Sequence, residues 1–455
     1  MAHADVEPNK WLSYLWLMFA VAALGEVSEF FGDELLQLLT RLDDAPSVPV
    51  LAALSLFAFC SFASFYATRG TPLPSFVAAI ALGIAGHKLF APIVENPVAL
   101  VSLVTASAAI ILFSGGFEMA LRDFLRLFIK IALLALPGVL LTGFVFSLVL
   151  QSLSTAFGLP LAMPVLILLG AILASTDPAA IIPVVRGLSF TPTATKDIVV
   201  AESALNDVAG ALLTTVFLKL SLAGMTVAAA YQALAEPGTY RFLAEQAGFG
   251  ALFGLGGWLL LWLLSRIKRA HSERYGADQV YFLAAPVVTY TAATVAGGSG
   301  FLAAFIAGLL FHSEEHMEEI ERFFFQAIDG VAKPIIFLLV GALVDIHSLL
   351  AYAPIGIAAG LVFMFVIRPL MVFLMLGLYA LFPNASRGLS ARQLLFISFV
   401  RETGAIPAVL LITAVARMTG SADGLVEIGM WVILLTLVIA PPLTPFVARR
   451  LGVAQ

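Results

Sequence analysis

Apolar runs recur along the whole length of this chain, and they limit its fold more than any other feature of the sequence. The hydrocarbon core of a bilayer is about 30 Å thick, so a helix needs about 20 mostly apolar residues to cross it. Because lipid cannot hydrogen-bond an open backbone, runs of this length predict transmembrane helices. Only 12% of the 455 residues are charged, against about 25% in an ordinary soluble domain, so we expect no sizeable soluble domain.

Proline, glycine and charged residues divide the apolar runs into thirteen predicted helices, so the expected fold class is an all-α membrane protein. The predicted helices lie at residues 49–67, 72–89, 97–120, 128–153, 161–186, 196–220, 246–266, 279–297, 300–312, 328–345, 354–381, 391–418 and 425–447. A further apolar stretch at 11–24 runs into Glu26 and Glu29. This stretch either spans the membrane as a fourteenth helix or lies at the interface as an amphipathic helix.

The Lys and Arg residues of the loops predict the orientation, because cytoplasmic loops of membrane proteins carry an excess of positive charge. When residue 49 is placed on the outer side, most of these residues fall on the side that also holds the C-terminus. We therefore expect a multi-pass protein of the cell (inner) membrane with a cytoplasmic C-terminus. No basic stripe interleaved with aromatic residues is present, so no nucleic-acid partner is expected.

Thirteen helices can be divided into six, one linker helix and six, and the odd separation would invert the second half relative to the first. The expected organisation is an N-terminal extension at 1–45, a first repeat at 46–225, a linker helix with a cytoplasmic loop at 226–275 and a second inverted repeat at 276–455. The fifth helix of each half is interrupted, at Ser175–Pro178 and at Glu402–Pro407. Paired interruptions of this kind predict crossed discontinuous helices around a transport site near the bilayer midplane.

The first interruption places Asp177 directly before Pro178. Proline lacks a backbone donor and disfavours helical geometry at the residue before it, so the backbone is expected to open here. The freed carbonyls and the Thr176 hydroxyl are hard oxygen donors that suit an alkali-metal cation. The alternative is a simple proline kink, with the acid in a polar patch of a neighbouring helix.

The predicted helix at 196–220 carries Glu202, Ser203, Asn206 and Asp207 at spacings that place them on one face. Intramembrane carboxylates each cost several kcal/mol unless they are partnered or hydrated, so they indicate a function. We interpret Asp207 as a carrier that binds a cation when ionised and is neutral when protonated, which couples the two fluxes through competition. The alternative is a buried acid satisfied by its polar neighbours, with no role in transport.

Three further intramembrane residues, Arg368, Arg401 and Ser114, carry polar side chains. Arg368 needs a counter-charge, and Glu202 is the predicted partner in a structural ion pair. Arg401, just before the second interruption, has either Glu402 or a carbonyl at a helix end as its partner. Ser114 opens a Ser-Gly-Gly segment that allows close helix packing and places a hydroxyl below the membrane surface.

At these motifs the sequence resembles the monovalent cation:proton antiporters of the NhaP and sodium/hydrogen-exchanger type. The resemblance covers nearly the whole chain and rests on TDPAAIIPV at 176–184, ESALND at 202–207, LFSGG at 112–116, SGFLAAFIAGL at 299–309 and RPL at 368–370. It implies a homodimer in which a core domain, holding the crossed discontinuous helices, moves against a dimerisation domain in an elevator-like motion.

The resemblance also implies roles for single residues. Asp207 corresponds to the ion- and proton-binding carboxylate, Thr176 and Ser203 lend oxygens to Na⁺, and Asp177 supports the site at the helix break. In relatives that this chain resembles, asparagine at the position of Asn206 goes with electroneutral exchange of one cation for one proton. A second aspartate at this position goes with electrogenic exchange.

Two departures from the family pattern limit this transfer. Many relatives have an acid where Ser114 stands, so a ligand role there is lost or is replaced by the hydroxyl and water. Relatives usually read Arg-Gly-Ala-Val-Pro at the second interruption, whereas this chain reads Thr-Gly-Ala-Ile-Pro from Thr403 to Pro407. Arg401 lies two places earlier, which leaves open both whether it replaces the family arginine and what Glu402 does.

The expected function is a secondary antiporter that exchanges a monovalent cation, Na⁺ or also Li⁺, for H⁺, and not an enzyme. No cofactor is expected beside the transported Na⁺ and H⁺, and the expected partners are the lipid bilayer and a second copy of the chain. A K⁺/H⁺ antiporter is an alternative, because Na⁺ and K⁺ use the same oxygen ligands. A channel-like cation efflux module, without obligatory proton coupling, is a second alternative.

Overall fold

The computed structural model describes residues 10–40, 48–68, 74–176, 185, 188–190, 194–220, 222–270, 283–311, 327–379, 389–418 and 420–454. Nearly all of these residues are helical. The α-helices are α1 (Lys10–Thr40), α2 (Val48–Thr68), α3 (Ser75–Ala85), α4 (His87–Val94), α5 (Pro97–Phe117), α6 (Leu121–Ala135), α7 (Pro137–Ala156), α8 (Met163–Leu173), α9 (Ala194–Lys219), α10 (Val227–Gln232), α11 (Pro237–Ala270), α12 (Ala285–Val295), α13 (Gly300–Phe311), α14 (Lys333–Ala342), α15 (Ile346–Ala351), α16 (Ala353–Val362), α17 (Arg368–Tyr379), α18 (Ala391–Phe399), α19 (Ala405–Arg417) and α20 (Leu425–Leu451).

Eight helical stretches of the described residues are long and apolar enough to cross a membrane, or nine when the bent pair α3 and α4 counts as one span. Shorter apolar helices, among them α8, α13 and α19, add to these. The predicted class of multi-pass all-α membrane protein is therefore confirmed. The number of thirteen helices and the two inverted repeats stay predictions.

The apolar stretch predicted at 11–24 belongs to a much longer helix, α1, which has 31 residues. Its segment Tyr14–Glu34 is long enough to span a membrane. The helix packs against α2, α3 and α4. Lys88 Nζ lies 2.9 Å from Glu29 Oε2 and 3.6 Å from Asp33 Oδ2, so ion pairs also attach α1 to α4. The length of α1 favours the spanning alternative over a short interfacial helix.

Two predicted helices are divided differently from the expectation. The helix predicted at 72–89 ends at Ala85, and α4 continues from His87 at an angle of 91°. A Cβ atom on Gly86 would lie 2.7 Å from the edge of the Phe90 ring, so a larger residue at this bend requires the ring to shift. In the second broken helix the non-helical residues are 400–404, and Pro407 lies in the first turn of α19. Proline is tolerated there because the first backbone donors of a helix have no helical acceptor.

The chain forms two compact units that are discontinuous in sequence. The first consists of the described residues of Met1–Ser107 and Phe325–Leu350, and the second of those of Ala108–Phe324 and Ala351–Gln455. In the first unit α3 and α14 touch at backbone distance, because a Cβ atom on Gly83 would lie 2.2 Å from the Leu338 carbonyl oxygen. The four sequence domains predicted above stay predictions.

In the second unit α5 crosses α13 equally closely. A Cβ atom on Gly116 would lie 2.2 Å from the Phe305 carbonyl oxygen, and one on Gly308 would lie 2.0 Å from the Phe113 carbonyl oxygen. The Ser-Gly-Gly segment of α5 therefore does allow close helix packing, as small residues in membrane helices generally do. The helix α13 in turn packs against α11 and α9, which ties α5 to the centre of this unit.

The crossing of α5 and α13 predicts a reversed effect of alanine. Alanine for glycine inside an exposed helix stabilises by about 1 kcal/mol, but Gly308→Ala should destabilise the protein by about 1–3 kcal/mol because its methyl group overlaps a carbonyl oxygen. Gly256→Ala is the matched control, since its Cβ would meet open space. Thermal unfolding of the detergent-solubilised variants measures both effects, and equal stability of the two variants would contradict the described crossing.

Candidate functional site

The helix α9 carries the predicted polar stripe through the middle of the second unit. Asp197 in its first turn and Lys219 in its last turn complement the helix dipole. The helix contacts α6, α7, α8, α11, α13, α18 and α19. The four polar residues of the stripe are therefore buried, with Glu202 and Asn206 at 1% exposure and Ser203 and Asp207 at 0%.

Glu202 forms a bidentate ion pair with Arg368, the first residue of α17. Arg368 Nη1 donates to Glu202 Oε1 at 2.8 Å, and Nη2 donates to Oε2 at 2.8 Å. Nη2 also donates to the Ile397 carbonyl at 3.4 Å. The structure thus brings together the two residues that the sequence analysis paired. Removing one member of such a buried pair leaves an uncompensated charge, so the pair fixes α9 against α17.

Asn206 links this ion pair to the first interruption. Its Nδ2 donates to Glu202 Oε1 and, at 3.3 Å, to Thr176 Oγ1. Its Oδ1 has no hydrogen-bond partner among the described residues. The amide therefore ties α9 to the residues after α8 and presents one further oxygen to the interior.

The first interruption begins where the sequence predicts it. The helix α8 ends at Leu173, and Ser175 and Thr176 continue as buried non-helical residues. A Cβ atom on Gly210 of α9 would lie 2.8 Å from Ser175 Cβ, so glycine allows α9 to approach the interruption. Asp177 lies outside the described residues, and its role at the break stays a prediction.

Asp207 lies one helical turn after Ser203 on α9, so the two side chains share a face. The Ser203 Oγ has no hydrogen-bond partner among the described residues. Its helix, α9, contacts α8 and both halves of the broken helix α18–α19, which carries Arg401 at its interruption.

The second interruption contains three buried side chains, those of Arg401, Glu402 and Thr403. The backbone N–H of Thr403 donates to Thr436 Oγ1 of α20 at 3.1 Å, so a side chain replaces the missing helical acceptor. The Thr403 Oγ1 has no hydrogen-bond partner in the part of the chain that the structure describes.

Arg401 makes its contacts with the other broken helix. Its Nη2 donates to the carbonyls of Leu173 at 3.0 Å and Ala174 at 2.7 Å, at the end of α8. Its guanidinium carbon lies 4.4 Å from the centre of the Phe363 ring. Of the two partners that the sequence left open, the structure thus shows the helix-end carbonyls, and the two interruptions are joined directly.

Ser114 lies in the last full turns of α5 and is 5% exposed. Its helix reaches α9 through α13, as described above. The structure places its hydroxyl inside the second unit, and its predicted support of the site stays a prediction.

The sequence analysis missed Phe363 and Thr436, and it did not identify which helix-end carbonyls bind Arg401. Backbone carbonyls carry no sequence signal, and Phe363 is one of many aromatic residues in an apolar helix. Thr436 did carry a signal, because it is a polar residue inside the long apolar run of α20.

The chemistry of the site is that of oxygen donors and fixed charges. Buried hydroxyl, amide and carboxylate oxygens come from Thr176, Ser203, Asn206 and Asp207. No group of three or more His, Cys, Asp or Glu residues that could hold a metal ion occurs in the described ranges. Hard oxygen donors of this kind suit an alkali-metal cation.

A model of the family described as "Sodium/hydrogen exchanger, transmembrane" matches residues 53–450. The chain belongs to this family. The family predicted from the sequence motifs, the monovalent cation:proton antiporters, is therefore confirmed, and it is a family of transporters rather than enzymes. The helix α1 lies before the matched residues.

Individual relatives agree with this placement. The chain is 28% identical over 279 residues to a K⁺/H⁺ antiporter NhaP2 of Shewanella oneidensis. The matched stretch covers 60% of this chain and 45% of that relative. The chain is also 28% identical over 320 residues to a probable Na⁺/H⁺ antiporter 2 of Methanocaldococcus jannaschii. Here the matched stretch covers 66% of this chain and 69% of that relative. The chain thus spans less than half the length of the Shewanella relative.

A solved structure supports the fold. The sodium proton antiporter MjNhaP1 of Methanocaldococcus jannaschii at pH 8 matches with a TM-score of 0.66 and 20% identity, over 89% of this chain and 99% of that chain. At this identity the likeness concerns the fold alone.

The buried ion pair generates a prediction about stability. Arg368→Met leaves Glu202 buried without its counter-charge, so the free energy of unfolding should fall by about 3–5 kcal/mol. Arg241→Met is the matched control, because Arg241 and Glu245 form an exposed pair of the same length, 2.8 Å, and exposed pairs contribute about 0–1 kcal/mol. Thermal unfolding in detergent compares the two, and an Arg368→Met protein as stable as the control variant would rule out a structural role for the pair.

Proposed function

We propose that this protein is a secondary antiporter that exchanges a monovalent cation, Na⁺ first and Li⁺ also, for H⁺. The observation that carries the proposal is the fully buried Asp207 on α9, next to two broken helices that Arg401 joins. The neighbouring carboxylate, Glu202, is held by Arg368. Of the two carboxylates on the polar stripe of α9, Asp207 is therefore the one that couples the cation to the proton.

Competition for one carboxylate performs the exchange. When Asp207 is ionised, it binds the cation together with oxygens from Thr176 and Ser203. When Asp207 is protonated, its charge is lost and the cation leaves. Because the carboxylate cannot hold both ligands at once, each passage of a cation in one direction requires a proton in the other.

Asn206 sets the proposed stoichiometry. A second carboxylate at this position would carry another negative charge through the cycle, whereas the Asn206 amide is neutral. Its Nδ2 is engaged by Glu202 and Thr176, so it positions the site without titrating. One cation for one proton moves no net charge, and the exchange is electroneutral.

The larger architecture completes this proposal. Beside α1, the chain has thirteen membrane helices, arranged as two inverted six-helix repeats and one linker helix, with its C-terminus in the cytoplasm of a cell whose inner membrane it spans. Two copies form a homodimer, and the part that holds the broken helices moves across the membrane in an elevator-like motion. The support for these features is the family and the corresponding positions of the two interruptions.

K⁺/H⁺ exchange is a second candidate for a specific reason. Relatives of similar identity are named both as K⁺/H⁺ and as Na⁺/H⁺ antiporters. Na⁺ and K⁺ differ through the size of the cavity and the number of oxygens, so the same ligands serve either ion. A channel-like efflux module differs from both, because it conducts without moving protons.

The experiment reconstitutes the purified protein in liposomes that contain a pH-sensitive dye and adds Na⁺, Li⁺ or K⁺ outside. We expect Na⁺ to drive proton movement at a rate that does not change when the membrane potential is clamped. Asp207→Asn should reduce this movement to the background of protein-free liposomes, because a carboxamide cannot exchange a proton for a cation. Asp423→Asn is the control, since this acid lies in an exposed turn.

The possible results separate the candidates. Exchange by the Asp207→Asn protein at the wild-type rate would disprove the assigned carrier. A stronger response to K⁺ than to Na⁺ would favour the second candidate. Cation uptake without proton movement would favour a channel, and a dependence on the clamped potential would contradict the one-to-one stoichiometry.

A further inference from the structure

Arg401 is a buried cation for which the exchange cycle above has no use. It is 1% exposed and is the largest of the fully buried side chains among the described residues. It does not stand at the position of the family arginine but two places earlier, in the non-helical segment 400–404. Its hydrogen bonds nevertheless reach the opposite broken helix.

The acceptors of these hydrogen bonds are the carbonyls of Leu173 and Ala174. The last carbonyls of a helix have no partner within the helix, and they lie at the negative end of its dipole. In a transport site built on broken helices, such carbonyls are natural ligands for the transported cation. Here a guanidinium of the protein binds two of them.

Phe363 holds the guanidinium in addition. The ring centre lies 4.4 Å from the guanidinium carbon, which is a favourable cation–π distance. Phe363 begins the π-helical segment Phe363–Ile367 that leads to Arg368. The hydrogen bonds to the two carbonyls and the contact with this ring fix the position of the guanidinium.

The end of α8 leads directly to the proposed ligand. Thr176 follows Ala174 by two residues and receives the hydrogen bond from Asn206. The backbone that supplies the Thr176 hydroxyl is therefore held on one side by α9 and on the other by Arg401. Loss of the guanidinium would free two carbonyls and release this segment.

We propose that Arg401 is a positioning residue of the cation site, a built-in cation that closes the carbonyls of Leu173 and Ala174 to the transported ion and holds Thr176 in place. The proposal rests on the proposed function, since it concerns the same site. It also accounts for the shifted arginine, which needs only to reach the end of α8 and not to occupy the family position.

The test uses Arg401→Ala, Arg401→Lys and the control Arg417→Ala, whose side chain is exposed at the end of α19. In the liposome assay, Arg401→Ala should raise the apparent KM for Na⁺ at least about tenfold, because hydrogen bonds of a charged group are lost. Arg401→Lys should give an intermediate KM, since lysine keeps the positive charge but lacks the planar guanidinium group. Arg417→Ala should leave KM unchanged.

Chemical rescue separates positioning from simple packing. Millimolar guanidinium chloride should lower the raised KM of the Arg401→Ala protein, because the free cation can occupy the same carbonyls and ring face. It should not restore exchange to the Asp207→Asn protein. Size-exclusion chromatography and thermal unfolding measure the folded fraction of each variant.

Two results would overturn the proposal. One is an Arg401→Ala protein with the wild-type KM and maximal rate. The other is a loss of rate that matches the loss of folded protein, with an unchanged KM and no response to guanidinium. If Arg401→Ala does not fold, Phe363→Leu removes the ring and should raise KM by a smaller factor, and an unchanged KM overturns the proposal.

A binding measurement distinguishes this proposal from the proposed function. Thermal unfolding of the solubilised protein at increasing Na⁺ concentrations measures Na⁺ binding in the absence of transport. If the wild type does not exchange, the proposed function fails. A stabilising Na⁺ concentration that is higher in Arg401→Ala than in the wild type still supports the positioning role, and an equal concentration overturns it.

Discussion

The rest of the second unit depends on the neutralisation of charge inside a medium that solvates charge poorly. Glu202 and Arg368 satisfy this constraint for each other through two hydrogen bonds of 2.8 Å. Their pairing fixes α9 against α17, and Asn206 extends it to the first interruption. Because Glu202 is committed in this way, the proposed cycle, in which Asp207 exchanges its ligand, leaves this framework intact.

In the second broken helix, buried charge is neutralised in a different way. Arg401 is matched not by a carboxylate but by two carbonyls at a helix end and by an aromatic ring. Partial charges thus balance a full charge at the point where the two interruptions meet. Contacts between helices that are far apart in sequence hold the polar groups of the site, and the hydrogen bond from Asn206 to Glu202 adds a contact within α9.

Sequence reasoning predicted the features that have a local cause. Apolar length predicted the membrane helices, Pro178 predicted the end of α8, and the two intramembrane charges predicted the contact of Glu202 with Arg368. It left the partner of Arg401 open between Glu402 and a helix-end carbonyl, because carbonyls have no residue type. It did not predict the bend at Gly86, where a Cβ atom would lie 2.7 Å from the Phe90 ring and 3.1 Å from Leu24. It placed Pro407 in the interruption, although the first turn of a helix accepts proline.

The composition of α9 also affects how the protein is made. It is the least apolar of the eight spanning stretches of the described chain and the most deeply buried one, so lipid alone is a poor environment for it. Its Glu202 is synthesised 166 residues before Arg368. Until α17 follows, α9 carries a carboxyl group without its counter-charge, and an unpaired intramembrane carboxyl group is costly, so stable insertion of α9 depends on a much later helix.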